Sequence, residues 1–369
     1  MIAHPKRPFG VEEEYLLLDG VTGVPINRAA ELLAVTADVD EQMDREFFSS
    51  QLETATPVCH DTDDAEQALS EVRRAFSEAA IARGIVLAGT GLPPLGGDTA
   101  GSVTPKDRYR LIESQYRAAA KHQYATGTHV HVEVPSPDAG IEVLCRLARW
   151  APTLLALTAN SPLWCGEPTG FASWRHVSGM TWPVAGYPLG FENEADYRRS
   201  VSQLIDTGVV PDSGLLTWVA RLSDNYPTVE LRIADAQLEA SDAVAFAAIV
   251  RALVDQAIAE AEAGHERPNY ATAMVNGATW LAARDGLSDQ LIDPLTAESM
   301  PAFDLISRML GTVEEQLDRF GDRARVDAYL AQLLAKGDPA TRQLQVYGAE
   351  GVSGLLNLYG AAGTAAAAA

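Results

Sequence analysis

Acidic residues interrupt an apolar stretch near the start of the chain, FGVEEEYLLLD at 9–19. In a β-strand, side chains two residues apart share one face, so Glu12 and Glu14 point one way and Glu13 the other. Burying unpaired carboxylates in such a strand is costly, and a cation held between them would remove that cost. The alternative is a solvated end of an edge strand.

Two histidines follow the same spacing in GTHVHVEV at 127–134. A strand would place His129 and His131 on one face among valines, where their imidazoles could contact a metal ion or a phosphate. The alternative is that one of them is a core histidine with a satisfied hydrogen bond.

Two further segments show polar groups two residues apart. TVELRIAD at 228–235 presents Glu230 beside Arg232, for which a structural ion pair is the alternative. EFFSSQLETATPV at 46–58 places Gln51 and Glu53 on one strand face and brings Glu46 in from the preceding turn.

One shared polar basin is the economical explanation of these four segments. Its chemistry is rich in carboxylates, with one or two histidines, which suits Mg²⁺ or Mn²⁺ better than zinc and indicates more than one ion. A site with several such ions is typical of proteins that bind a nucleoside triphosphate, and Arg232 would donate to phosphoryl oxygens. The sequence contains no GxxxxGKS or GxxxxGKT loop and no GxSxG elbow, which argues against a P-loop enzyme and a serine hydrolase.

Periodicity and breakers predict the elements that would position these residues. The segment 160–190 is rich in Pro, Gly, Ser and Trp, and a loop of that length is uncommon unless it binds something. Strands are expected at 9–19, 49–58, 85–89, 127–134, near 214–219 and at 228–234. Helices are expected at 63–83, from Pro105 to about 121, at 138–159 with a break at Pro152, at 194–206 and through an Ala-rich tail from about 240 to 346.

Composition restricts the class of protein. The 369 residues include 28 Lys+Arg and 50 Asp+Glu, a formal net charge of −22, which argues against nucleic-acid and anionic-membrane partners. No apolar run approaches the ~18 residues of a membrane span, and MIAHPKRPFG lacks a signal peptide's apolar region. We therefore expect a cytoplasmic protein with three reduced cysteines. It would form a single domain over 1–369, with a sheet core at about 9–235, a helical part at about 240–346 and a frayed tail at 361–369.

Taken in order over residues 9–235, the four polar segments resemble the glutamate-cysteine ligase type 2 family, also described as carboxylate-amine ligases. The resemblance continues in RYRLIESQY at 108–116. It also includes NSPLWCGEPTGFASWRHVSGMTWPVAGYP at 160–188, which is similar to that family's substrate loop.

The resemblance implies an α+β, glutamine-synthetase-like fold, in which a curved antiparallel sheet forms a bowl for ATP and divalent metals with helices packed outside. It implies ATP-dependent amide formation through an acyl phosphate, with L-glutamate and L-cysteine as substrates and a homo-oligomer as a possible assembly. Arg232 would contact phosphate, and Arg175 would contact substrate or phosphate. The implied metal-binding residues are Glu12, Glu14, Glu46, Glu53, His129 and Glu230.

Two other classes of protein remain open from the residues alone. A zinc hydrolase of the amidohydrolase kind would use the HVH pair, but it needs further ligands at later strand ends, and only His176 and His265 follow. A non-enzymatic binding protein with solvated acids would show no affinity for nucleotides.

Overall fold

The computed structural model of the chain describes residues 6–36, 43–188 and 190–365. Its strands are β1 (Phe9–Asp19), β2 (Asp44–Arg45), β3 (Gln51–Ala55), β4 (Ile85–Ala88), β5 (Gly127–Glu133), β6 (Leu163–Trp164), β7 (Glu167–Pro168), β8 (Ala220–Leu222), β9 (Thr228–Asp235), β10 (Gln290–Asp293) and β11 (Glu298–Pro301). Within the described ranges, seven strands form one open sheet in the order β2-β3-β1-β5-β9-β8, and β4 also pairs with β1. Every pairing in it is antiparallel.

The register of the sheet brings polar residues from several strands onto one face. Glu12 lies opposite His129 and Glu14 opposite Glu53. On the next strand, Glu230 lies opposite His131. Residues that oppose each other in antiparallel strands share a face, so the shared polar basin predicted from the spacing is present.

Helices pack on both sides of the sheet. They are α1 (Ala29–Thr36), α2 (Thr62–Ile81), α3 (Asp107–Tyr116), α4 (Pro137–Leu147), α5 (Ala151–Thr158), α6 (Trp174–Gly179), α7 (Glu194–Asp206), α8 (Ala240–Glu262), α9 (Thr272–Asp285), α10 (Ala302–Gly311), α11 (Glu314–Phe320), α12 (Arg323–Lys336) and α13 (Pro339–Gly363).

The central helix α8 packs against β1 and β5. Its small and branched side chains allow this close approach, and Phe246 and Val250 share one buried cluster with Val11, Val130 and Val132. Burial of this apolar area fixes which face of β1 points inward, because a slip of one residue would place Glu12 and Glu14 in the helical core.

Several predicted elements are confirmed and others are wrong. The strand at 9–19 and the helices at 63–83 and 194–206 are present, and the apolar stretch 138–159 is split into α4 and α5. The strand predicted near 214–219 is wrong: residues 213–215 form a 3-10 turn, and strand pairing begins at Ala220. The helix predicted to reach about 121 ends at Tyr116, because Arg117 has a φ of 53°.

The C-terminal part also differs from the prediction. Its helices are interrupted by the β10–β11 hairpin. In the N-terminal part, helix α1 was not predicted at all. Helix α13 extends beyond 346 to Gly363, so the described part of the predicted frayed tail begins as helix, while residues 366–369 lie outside the described ranges. The single domain over 1–369 stays a prediction. No described helix combines the length and apolar character needed to cross a bilayer.

Candidate active site

The polar face of the sheet holds two groups of three side chains suited to a cation. Glu12, Glu53 and His129 form one group, and Glu12, His131 and Glu230 form the other; within each group the ligand atoms lie within 4.8 Å of one another. Glu12 belongs to both, with Oε2 3.2 Å from His129 Nδ1 and Oε1 3.1 Å from His131 Nε2. This geometry could hold two cations with Glu12 between them.

Glu14 and Glu46 lie beside the two groups found in the described part of the chain, and neither residue is part of them. Glu14 accepts a hydrogen bond of 2.6 Å from the backbone N–H of Gly127. Glu46, which follows β2, accepts one of 2.8 Å from the hydroxyl of Tyr109. Both carboxylates line the cleft above the sheet together with Arg175 and Arg232.

Three carboxyl groups on the polar face, those of Glu14, Glu46 and Glu53, have raised pKa values. Burial and the charges of Glu46, Glu14 and Glu12 raise the pKa of Glu53 well above its usual range. Burial and Glu46 raise the pKa of Glu14 to about 7. Burial also raises the pKa of Glu46. A divalent cation would lower these pKa values, because it favours the ionised form of every carboxylate around it.

The other two acids of this face, Glu12 and Glu230, are compensated by protein groups. Burial opposes ionisation of Glu12, but hydrogen bonds with His129 and His131 hold its pKa well below the usual range. Burial likewise opposes ionisation of Glu230, and Arg232 and Arg221 lower its pKa strongly. Ionisation is therefore favoured by protein groups at Glu12 and Glu230 and disfavoured at Glu14, Glu46 and Glu53.

His129 supplies an observation that tests whether a metal ion suits the site. Its Nε2 is buried and has no hydrogen-bond partner among the described residues. Burial and the neighbouring Arg232 lower the pKa of His129 to about 4, so the ring is neutral at pH 7, which is the form that binds metals. The orphaned nitrogen and the excess of carboxylates fit a divalent cation, and the oxygen-rich donor set favours Mg²⁺ or Mn²⁺.

Two arginines reach the same cleft from different elements. Arg232 of β9 donates to Glu230, and its Nη1 lies 3.3 Å from His129 Nδ1. Arg175 of α6 lies over the end of β9, where its Nη2 is 3.3 Å from the carbonyl oxygen of Arg232, and its Nε has no partner among the described residues. A Cβ atom at position 127 would lie 2.4 Å from Arg175 Nη2, so Gly127 makes room for this guanidinium.

Asp235 positions the segment that carries Arg175, and the sequence analysis missed it. Its buried carboxylate accepts hydrogen bonds from Asn160 N at 2.8 Å, Ser161 Oγ at 2.7 Å and Ser173 Oγ at 2.9 Å. Arg175 Nη1 lies 3.7 Å from it. An acid at the end of an apolar strand, TVELRIAD, was the available signal. Arg221 was missed as well, and its Nε donates to Glu230 at 2.6 Å.

The cleft extends from the carboxylates to an apolar end. That end is formed by residues that follow α6 and by the turn before β8, including Met180, Trp182, Leu216 and Trp218. The arrangement can hold a polyanion at the charged end and a second molecule beside it. His131, for which the sequence left a core role open, belongs to one of the two three-residue groups.

The whole described sheet and most of the helices fall within a match to a known family. Residues 8–357 match the model of glutamate-cysteine ligase family 2. The chain belongs to this family, which confirms the resemblance stated from its motifs. By family it is an ATP-dependent carboxylate-amine ligase that acts on small molecules.

Relatives of similar length carry corresponding names. A protein from Rhodopirellula baltica with the provisional name glutamate–cysteine ligase 2 is 35% identical over 340 residues, covering 90% of this chain and 91% of its own. A protein from Mycolicibacterium smegmatis with the provisional name glutamate–cysteine ligase 2-3 is 38% identical over 342 residues, covering 92% of this chain and 93% of its own.

Solved structures confirm the predicted α+β fold class. Glutamate–cysteine ligase from Francisella tularensis, solved in complex with AMP, superposes with a TM-score of 0.73 at 12% identity over 98% of this chain and 90% of its own. A bifunctional glutathione synthetase from Pasteurella multocida gives a TM-score of 0.67 at 14% identity over 97% of this chain, which spans about half of that enzyme, 52%.

Proposed function

We propose that this protein joins the carboxylate of L-glutamate to the amine of L-cysteine, or a closely related pair, at the expense of ATP. The observation that carries the proposal is the pair of three-residue groups that share Glu12, beside the guanidinium of Arg232. The phosphates of a nucleotide can bind to a protein of formal net charge −22 only where positive charge is available. Cations and the arginine on this face would supply that charge.

We assign the metal positions to the residues of these groups and to the carboxylates beside them. Bound Mg²⁺ or Mn²⁺, as more than one ion, would offset the charge of the ATP phosphates and of the carboxylates around it. The residues proposed to hold the ions are Glu12, Glu14, Glu46, Glu53, His129 and Glu230, with His131 added from the structure.

The remaining steps belong to the arginines and to the segment 160–190. Arg232 and Arg175 would donate to phosphoryl oxygens while the acid's carboxylate oxygen attacks the γ-phosphorus and the bond to the β-phosphate oxygen breaks, releasing ADP. The amine nitrogen of the second substrate then bonds to the acyl carbon, and phosphate leaves. The segment that Asp235 anchors would exclude water, which would otherwise hydrolyse the acyl phosphate.

Phosphate release from ATP with Mg²⁺ tests this proposal. Single amino acids and acid–amine pairs are screened, with mass spectrometry of the products. Release that depends on both glutamate and cysteine, with a γ-glutamylcysteine mass, would support the full proposal. Release with another pair would keep the reaction and replace the substrates.

Two outcomes of the same screen would overturn the reaction. Absence of nucleotide hydrolysis with every pair, in a folded sample, would favour a binding protein. Activity that returns to a chelated sample only with Zn²⁺ would favour the hydrolase. A homo-oligomer and a cytoplasmic location stay predictions from the sequence.

A further inference from the structure

A histidine without a hydrogen-bond partner for its ring lines the cleft beside Arg175. His176 is the third residue of α6, and its backbone N–H donates to Ser173 Oγ at 3.3 Å. The half-buried ring faces the cleft, and neither ring nitrogen has a partner among the described residues. It lies on the same stretch of chain as Met180 and Trp182, which form the apolar end of the cleft.

The proposed reaction needs a proton acceptor at this place. An amino-acid amine is an ammonium ion near neutral pH, and an ammonium nitrogen has no lone pair with which to attack a carbonyl carbon. One proton must therefore leave before the C–N bond forms. A group that accepts it has to lie in the cleft, in a neutral or anionic form, and free of other partners.

The other titratable groups that line the described cleft are already engaged. Glu14 and Glu46 belong to the carboxylate cluster, and His129 contacts Glu12 and Arg232. Tyr109 donates its hydroxyl hydrogen to Glu46, and burial with that charge raises its pKa far above neutrality. The arginines of the cleft cannot accept a proton.

We infer that the imidazole of His176 accepts the proton that the ammonium of the second substrate loses before it attacks the acyl phosphate. This inference rests on the proposed function. The nitrogen lone pair then forms the C–N bond, the bond from the acyl carbon to the phosphate oxygen breaks, and phosphate leaves with that electron pair. The second nitrogen proton goes to solvent, and the imidazolium returns its own proton to solvent before the next turnover.

The electrostatic surroundings of His176 support this role. Burial and the charge of Arg175 lower its pKa to about 4, so the ring is neutral before substrates arrive. An anionic phosphate that pairs with Arg175 offsets the effect of the arginine on its neighbour and makes the imidazole a stronger base when it is needed.

Two nucleophiles that differ in whether they must lose a proton before they attack test the inference. Hydroxylamine is neutral near pH 7 and can attack an acyl phosphate directly, giving a hydroxamate, whereas L-cysteine arrives as an ammonium ion. We expect His176→Gln to reduce kcat with L-cysteine by about 100-fold and to leave hydroxamate formation with ATP and L-glutamate close to the wild-type rate. The matched control is His265→Gln, since this histidine is exposed, and it should change neither rate.

Each other outcome overturns the inference or the proposal beneath it. Equal losses with both nucleophiles would show that His176 acts before the amine step or only maintains the structure, and unchanged rates would show that it accepts no proton. His176→Asn repeats the test should the glutamine variant fail to fold. If the wild-type protein forms neither hydroxamate nor amide with any acid, the proposed function itself is wrong, whereas another productive pair simply replaces glutamate and cysteine in the assay.

Discussion

Three consecutive glutamates of β1 have contrasting surroundings on the two faces of the sheet. Glu13 points into the helical core, where Arg73 Nε donates to it at 2.8 Å and the Tyr15 hydroxyl also donates to it. Arg73 in turn donates to the carbonyl oxygens of Leu238 at 2.6 Å and Gln237 at 3.0 Å. On the other face, burial and the charge of Glu46 raise the pKa of Glu14.

The difference separates a structural buried charge from a functional one. A carboxylate that is paired with its own arginine and accepts a further hydrogen bond from a tyrosine stabilises one arrangement of helices and strands. A carboxylate next to other carboxylates stores repulsion that a bound cation relieves. The amino-acid type and the burial are the same in both cases, and the partners differ.

Removal of the partner of Glu13 should give the largest change in stability. Arg73→Gln leaves a carboxylate buried and uncompensated, so we expect the free energy of unfolding to fall by about 3–5 kcal/mol, measured by urea denaturation. The neighbouring Arg74 is exposed, and Arg74→Gln serves as the control that should change little. A small effect of Arg73→Gln would mean that Glu13 does not depend on this arginine for compensation of its charge.

A substitution on the cleft face should act on turnover instead. Glu53→Gln removes one ligand charge, and we expect Mg²⁺-dependent ATP turnover to fall by about 100-fold or more, with unfolding still cooperative. The metal-free variant should be at least as stable as the wild type, because a neutral amide replaces a carboxyl group whose ionisation is disfavoured by burial and by its neighbours. Glu133→Gln, at an exposed position of β5, is the control, and unchanged turnover of Glu53→Gln would remove this residue from the site.

Arg232 tests whether shape as well as charge matters at the cleft. Arg232→Lys keeps the positive charge but loses the planar fork that donates to Glu230 and reaches His129. We expect turnover to fall by about 10-fold to 100-fold, with saturation by ATP measured in the same assay. Wild-type kinetics in the lysine variant would exclude a phosphate contact for this residue.

Asp242 in α8 is a buried acid that has a raised pKa although it lies outside the cleft. Burial and Glu239 raise the pKa of Asp242 to about 7, and one of its oxygens has no partner among the described residues. The folded state therefore holds a proton that the unfolded state has released, so the contribution of this group to stability is complete below about pH 4 and is lost as the pH rises to about 7.

Asp242→Asn should remove this dependence. We expect the loss in the free energy of unfolding between about pH 4 and 7 to become smaller by about 1–4 kcal/mol, as measured by urea denaturation across that range. An identical pH profile in the variant would show that Asp242 titrates normally. A raised pKa alone is thus no indication of a site, and clustering with other acids at a cleft is the stronger criterion.

The sequence predicted most of the cleft face because strand alternation carries the information locally. Spacing of two residues placed Glu12 with Glu14 and Glu230 with Arg232, and apolar neighbours indicated burial. The seven-strand register then depended on turns and helices that bring together residues more than 200 positions apart, such as Glu12 and Glu230, and for this the family resemblance was needed.

The missed features depend on contacts between distant segments. Asp235 could not be assigned because its partners, Asn160, Ser161 and Ser173, lie in a segment without periodicity. The strand predicted near 214–219 was wrong because residues 213–215 form a 3-10 turn, and the apolar side chains of Leu215, Leu216 and Trp218 line the cleft. The β10–β11 hairpin was missed because its strands are only 4 residues each.

From the two groups that share Glu12, we propose that this residue serves two cation positions at once. Mn²⁺ titration followed by electron paramagnetic resonance measures it directly, because the signal of free Mn²⁺ reports how much is bound. We expect Glu12→Gln to weaken binding at both positions, whereas Glu53→Gln and Glu230→Gln should each weaken chiefly one. Binding of Mn²⁺ to Glu12→Gln with wild-type stoichiometry and affinity would contradict this proposal.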